Sequence, residues 1–268
     1  MVRHDLPEAI AEVLRRTGQS QLDYIGFSMG GMLAYAALGR TVPLHQVRRV
    51  VIQGSPGKVV PPLQVLRLLR WCPKAVWPAL PIRLAAQMTA PWSEFLQTPA
   101  QSLVCNASNM TPGAIRRVAA QGTHTVSPAL QYQLYQWAFP CGGTLMLGGQ
   151  PVLAGLAEVA VPVLFFAGRG DRLASPGAVA AAFEAWGSNL TAPIRHLVVL
   201  DKVHAAADYG HLDLAAGREA AREVFAPIAA FLSAADPADP AGFLPTKLLP
   251  ACRSGLTPYS RPAKAEAA

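Results

Sequence analysis

The chain is expected to fold as an α/β domain with a mostly parallel sheet and an inserted helical segment. Three observations predict this: a strand, helix, strand run at residues 22–56, a second such alternation from residue 161 onward, and a long proline-broken stretch between them. Parallel strands need a crossover connection, usually a helix, so each alternation reads as one parallel unit.

The elements follow in order. From Asp5 the spacing predicts a helix: Asp5 as its cap, Glu8 three residues on as in a capping box, Leu6, Ile10, Val13 and Leu14 on one face, and Gly18 at its end. "LDYIGF" reads as a buried strand, "GGMLAYAALGR" as a helix closed by Gly39, and Val47 to Pro56 as a second strand. Residues 57–160 carry leucine, tryptophan and glutamine between prolines, fit short helices with no clear strand, and are expected to form a cap. Alternation resumes with Val161 to Asp171, a helix through "PGAVAAAFEAW", a strand at Ile194 to Val203 and a last helix from Arg218 to Ser233. The core is thus assigned to 1–56 and 161–236. Residues 237–268, rich in proline and without a periodic apolar face, are expected to be a loose tail.

Composition narrows the function. Of 268 residues, 51% are hydrophobic and 15% charged, yet no apolar run reaches the roughly 18 residues of a membrane span. The net charge of +7 comes from scattered pairs such as Arg15-Arg16 and Arg48-Arg49, without the clustering of a nucleic-acid face. Four cysteines lie far apart with no C-x-x-C pair, so neither a zinc site nor a disulfide framework is signalled, and no metal or cofactor is expected. The first residues hold no apolar stretch that could serve as a secretory signal, and the expected location is the cytoplasm.

The motif that carries chemistry is G-x-S-x-G around Ser28, from Gly26 to Gly30. Alone it is weak. Between a strand and a helix it describes a sharp turn that lifts a serine hydroxyl out of the chain, with Met29 opening the helix so that its N–H can meet an oxyanion. A serine needs a base, and the base needs an orienting acid. Asp171 follows one later strand and His211, in "DYGHLDLAAG", follows the next. His204 is the rival base; Asp201, Asp208 and Asp213 are rival acids, with Asp213 better suited to supporting the histidine loop.

"GFSMGG" and "YGHLD" resemble the α/β-hydrolase superfamily, in its lipase-like and esterase-like members, over about Asp5 to Leu232. The resemblance implies Ser28 as nucleophile, His211 as base then acid, Asp171 as orienting acid and Met29 N–H as an oxyanion donor. An acyl-enzyme from a small-molecule or lipid ester would be resolved by water. Acyl transfer, as in acyltransferases or polyester synthases, is the second reading, although the synthases usually carry cysteine at the nucleophile. An inactive, truncated hydrolase is the third. In the family, the nucleophile follows the fifth strand, and a loop after the third gives a second oxyanion donor. Only one helix precedes the nucleophile strand here, so the first half of the sheet is expected to be encoded upstream of Met1. Leu63, Leu66, Leu69, Trp71 and Trp77 are candidates to line an acyl pocket or meet a lipid surface, or to pack against the sheet domain.

Overall fold

The computed structural model describes residues 1–60, 67, 82–93 and 98–255. Helix α1 (Asp5–Thr17) buries Ile10 and packs Leu6 and Leu14 against the core, as its spacing requires. Its start differs from expectation. His4 is the cap residue and makes no side-chain capping bond, while Asp5 lies inside the first turn with its carboxylate 3.2 Å from the N-terminal amine. The capping box of Asp5 and Glu8 does not form; the Glu8 N–H donates to His4 O at 2.9 Å instead. Gly18 ends the helix at φ +66°, its N–H donating to Leu14 O.

Strand β1 (Leu22–Phe27) leads into α2 (Met29–Ala37) and then β2 (Val47–Gln53). β2 stops three residues short of Pro56 because Gly54 turns to φ +55° and its N–H donates to Phe166 O. Between β2 and the next sheet strand lie α3 (Ile82–Thr89), α4 (Pro99–Val104), α5 (Ala114–Arg117) and α6 (Pro128–Ala138). A two-residue antiparallel pair follows, β3 (Met146–Leu147) with β4 (Gln150–Pro151), in a stretch expected to hold no strand. β5 (Val163–Gly168), α7 (Pro176–Ala185) and β6 (Arg195–Leu200) continue the alternation. Leu63, Leu66, Leu69, Trp71 and Trp77 lie outside the described residues.

The chain then forms α8 (Asp213–Ala216), a π-helical turn (Ala221–Phe225), α9 (Ala226–Ser233) and β7 (Cys252–Ser254). The single helix expected from Arg218 to Ser233 is broken for a local reason. Pro227 has no N–H to donate four residues back, so the turn before it widens.

Among the described residues the sheet runs β1-β2-β5-β6-β7, parallel throughout except for β7. Alternation sorts its side chains onto two faces. Val50, Ile52, Val163 and Phe165 join α1, α2 and α7 in one core; Val51, Leu164, Phe166 and Val198 join α9 in the other. Each fully buried side chain of this size contributes roughly 1.5–3 kcal/mol.

Leu145, Val152, Leu156 and Val159 belong to the first core, against which Leu134 and Trp137 of α6 also pack. Residues 237–255 are not loose: Phe243, Leu244 and Leu248 are buried against α9 and the sheet, and β7 pairs with β6. Among the described residues, no helix is long and apolar enough to cross a membrane.

Candidate active site

β1 delivers Ser28 at the carboxyl edge of the sheet in a strained turn. Its φ of +52° and ψ of −116° make it the one non-glycine with positive φ among the described residues. Such a conformation costs of order 1–3 kcal/mol and persists only where surrounding contacts over-determine it. Here the Ser28 N–H donates to Gln53 O of β2 at 2.8 Å. Two glycines make the turn possible by close approach. A Cβ on Gly26 would lie 2.6 Å from the Gly31 nitrogen, and one on Gly31 would lie 2.2 Å from Ser55 Oγ. Gly30, the last glycine of the motif, is under no such constraint: its nearest neighbour would be the Tyr24 hydroxyl at 3.9 Å. That hydroxyl donates to Gly30 O at 2.7 Å. Met29 opens α2, so its N–H has no acceptor within the helix and sits at the positive end of its dipole.

The three sequence-predicted residues meet. His211 Nε2 lies 2.8 Å from Ser28 Oγ, and His211 Nδ1 lies 2.7 Å from Asp171 Oδ2. Asp171 follows β5 directly and its side chain is fully buried; its other oxygen accepts from the N–H groups of Leu173 and Ala174 at 2.8 and 2.7 Å. Those two donors fix the carboxylate plane, and the remaining oxygen faces the imidazole. The His211 ring packs beside Phe27, with centroids 5.0 Å apart.

The rivals are engaged elsewhere. His204 Nδ1 pairs with Asp201 Oδ1 at 2.9 Å, and Asp208 accepts from the Lys202 N–H. Asp213, buried two residues after His211, accepts from the Asn106 N–H at 3.0 Å and from Asn109 Nδ2 at 3.1 Å. Burial pushes its carboxyl pKa above the usual range, against the pull of the N–H donors of Gly210, Asn109 and Asn106. Leu212 N–H donates to Val104 O at 2.7 Å, so two elements of the histidine loop are tied to residues 104–109.

Sequence reasoning missed a second anchor. Glu223, from the π-helical turn, accepts from the Tyr209 hydroxyl at 2.8 Å, from the Ala206 N–H, and from the Lys247 ammonium of the tail. Burial alone would raise Glu223, but these donors hold it below the ordinary carboxyl value. The signal was faint: Glu223 stands among Arg218, Glu219 and Arg222, and looks like one more charge on a solvated helix face.

The profile of the α/β-hydrolase fold family matches residues 3–215. The chain belongs to that family. Comparison with curated proteins finds no matching relative. Among solved structures, this α/β-hydrolase is similar to an enol-lactonase from Burkholderia xenovorans LB400, with TM-score 0.48 and 15% identity, covering 80% of this chain and 68% of that one. A thermophilic esterase from Thermogutta terrifontis gives TM-score 0.46 and 15% identity, over 80% of this chain and 66% of the esterase. A 2-hydroxy-6-oxo-6-phenylhexa-2,4-dienoate hydrolase from Rhodococcus sp. strain RHA1 gives TM-score 0.44 and 19% identity, over 78% and 63%. The α/β-hydrolase chain thus spans about two thirds of the length of each.

Proposed function

We propose that the protein is a serine hydrolase that cleaves carboxylic esters of apolar acyl groups through an acyl-enzyme. The observation that carries this reading is the unbroken relay from buried Asp171 through His211 to Ser28 Oγ, on a serine held at positive φ. His211 Nε2 takes the proton from Ser28 Oγ as the oxygen attacks the ester carbonyl. Asp171 accepts the Nδ1–H, which selects the tautomer that leaves Nε2 free to act and stabilises the imidazolium that forms. Negative charge on the carbonyl oxygen is met by the Met29 N–H and the α2 dipole. The Nε2 proton then passes to the departing alkoxide oxygen, the C–O bond breaks and an ester on Ser28 remains. Water, deprotonated by His211, resolves it.

The helices of residues 82–138 act in this proposal as a cap over the core, with 1–56, 143–236 and the packed part of the tail forming the sheet domain. The experiment is fluorophosphonate labelling of the purified chain, paired with turnover of p-nitrophenyl esters. Stoichiometric labelling lost in Ser28→Ala supports the reading. Equal labelling of both proteins sinks it. Analysis of products with an alcohol present separates hydrolysis from acyl transfer.

A further inference from the structure

Tyr209 stands two residues before His211, is fully buried, and joins the two loops that carry Asp171 and His211. Its carbonyl accepts from the Gly170 N–H at 2.9 Å, one residue before Asp171. The same oxygen lies so near Gly168, the last residue of β5, that a Cβ there would be 2.2 Å from it. The Tyr209 N–H donates to Leu200 O at the end of β6. The placement of His211 against Asp171 thus passes through one residue.

The far end of Tyr209 is held by a buried charge. Its hydroxyl donates to Glu223 Oε2 at 2.8 Å, and the same carboxylate accepts from the Ala206 N–H at 3.1 Å and pairs with the Lys247 ammonium. Glu223 is 1% exposed, while Lys247 is half-exposed. The C-terminal segment carries Lys247 there, with Leu244 and Leu248 buried in the same core as Tyr209. A carboxylate so placed adds little net stability, because its lost hydration offsets most of the attraction of its partners, and apolar side chains of the same shape would hold as well. What it supplies is direction: charge-assisted hydrogen bonds accept one geometry where apolar packing accepts several. We infer that Glu223 is a positioning residue for His211, acting through Tyr209, and that Lys247 completes the device by pairing with its carboxylate. The C-terminal segment then serves the site as well as the sheet border. The inference deepens the serine-hydrolase reading and rests on it for what His211 does, not for where His211 is held.

Two measurements test it separately from that reading. The first needs no turnover. In protein labelled with nitrogen-15 histidine, the shifts of the His211 ring nitrogens, read through its carbon-bound protons and assigned with His211→Gln, report which nitrogen carries the proton. In alkaline buffer one tautomer is expected in the wild type, with the proton on Nδ1 toward Asp171, and a mixture in Glu223→Ala and in Tyr209→Phe. The second is the split between kcat and KM on p-nitrophenyl esters. Glu223→Ala should lower kcat about a hundredfold and Tyr209→Phe about tenfold, with KM within about twofold of wild type. Lys247→Met, at a half-exposed position, should lower kcat about fivefold, and Lys247→Arg, which keeps a cation beside Glu223, should recover most of that loss. A single unchanged tautomer in folded Glu223→Ala overturns the inference, as does kcat within about threefold of wild type in Glu223→Ala and Tyr209→Phe. If Glu223→Ala fails to fold, Tyr209→Phe and Lys247→Met decide by the same two criteria. A tautomer that depends on Glu223 in a protein that turns over no ester keeps the positioning role and removes the serine-hydrolase reading.

Discussion

The two halves of the candidate site are built to different standards of enclosure. Asp171 and His211 come from loops after β5 and β6, in the middle of the sheet, and both are buried. Ser28 comes from β1, which among the described residues has a neighbour on one side only, and Ile25 and Met29 on either side of it are 52% and 39% exposed. The sheet shows the same asymmetry at its borders. At β6 the C-terminal segment adds β7 and covers the border; at β1 nothing described does. Position in a sheet, and not merely the distances among Ser28, His211 and Asp171, therefore sets how firmly each group is held. The Asp171–His211 pair should tolerate insult to its surroundings better than the turn at Ser28.

The largest effect expected bears on the chemistry common to both halves. In the proposed mechanism Ser28→Ala should reduce ester turnover to background, a loss of roughly a millionfold in kcat, measured with a p-nitrophenyl ester. Asp171→Asn should leave far-ultraviolet circular dichroism and melting cooperativity intact while kcat falls by about 10⁴. A fall of less than tenfold would mean that the buried half does not orient His211.

The next contrast tests the exposed half from within. Gly31→Ala forces a Cβ against Ser55 Oγ and should cost about 1–3 kcal/mol of stability together with most of the activity, because the turn at Ser28 has to shift. Gly30→Ala, with open space around it, should leave the melting temperature unchanged or slightly higher. Equal effects from the two variants would show that the turn is not held by the Gly31 approach.

The two borders of the sheet give smaller effects. His196 Nε2 meets Pro237 O at 2.8 Å and its Nδ1 meets Ser254 Oγ at 2.6 Å, so one imidazole fastens the covering segment. Burial holds its pKa below the ordinary histidine value, against the Pro237 carbonyl and the Asp239 charge, which favour the proton. The unfolded chain thus binds the proton more readily than the fold. The stabilisation from neutral His196 is whole above about pH 6.5 and is lost as pH falls through the lower folded value. Hydrogen-exchange protection factors at Cys252 to Ser254, corrected for the intrinsic rate, should fall on that acid side in the wild type and not in His196→Gln. At the other border, Ile25→Lys places a charge on an exposed position of a strand that has one neighbour among the described residues, and should reduce light scattering of this chain by a few-fold at high protein concentration. Unchanged scattering would mean that β1 is not where chains associate.

Much of this was legible in the chain, for physical reasons that also mark where legibility ends. Ser28, Asp171 and His211 could be found because each follows a run of apolar residues that reads as a strand, and parallel strands deliver their ends to one edge. The tail could not be read. Phe243, Leu244 and Leu248 sit in short turns, where burial follows no period, so no helical or strand rhythm announces them. Asn106 and Asn109 were invisible because their partner Asp213 is more than a hundred residues away, and an asparagine in a proline-broken stretch looks the same whether bound or solvated. The glycine motif misled by one position. It pointed to Gly30, whereas the crowding that demands a glycine depends on Ile52 of β2 and Ser55 just beyond its end and falls on Gly31.

The ties between residues 104–109 and the histidine loop bear on how a substrate could reach Ser28. Asn106 N–H and Asn109 Nδ2 on Asp213, Leu212 N–H on Val104 O and Arg218 N–H on Asn109 O join the two segments at four points. The Asn106 backbone also comes so near Gly210 that a Cβ there would be 2.6 Å from its nitrogen. A stretch joined this tightly moves with His211 or not at all. Any swing of it outward would carry the imidazole off Ser28 Oγ and disconnect the relay. In the proposed mechanism residues 104–109 and the histidine loop therefore act as one unit, a fixed doorpost beside Ser28.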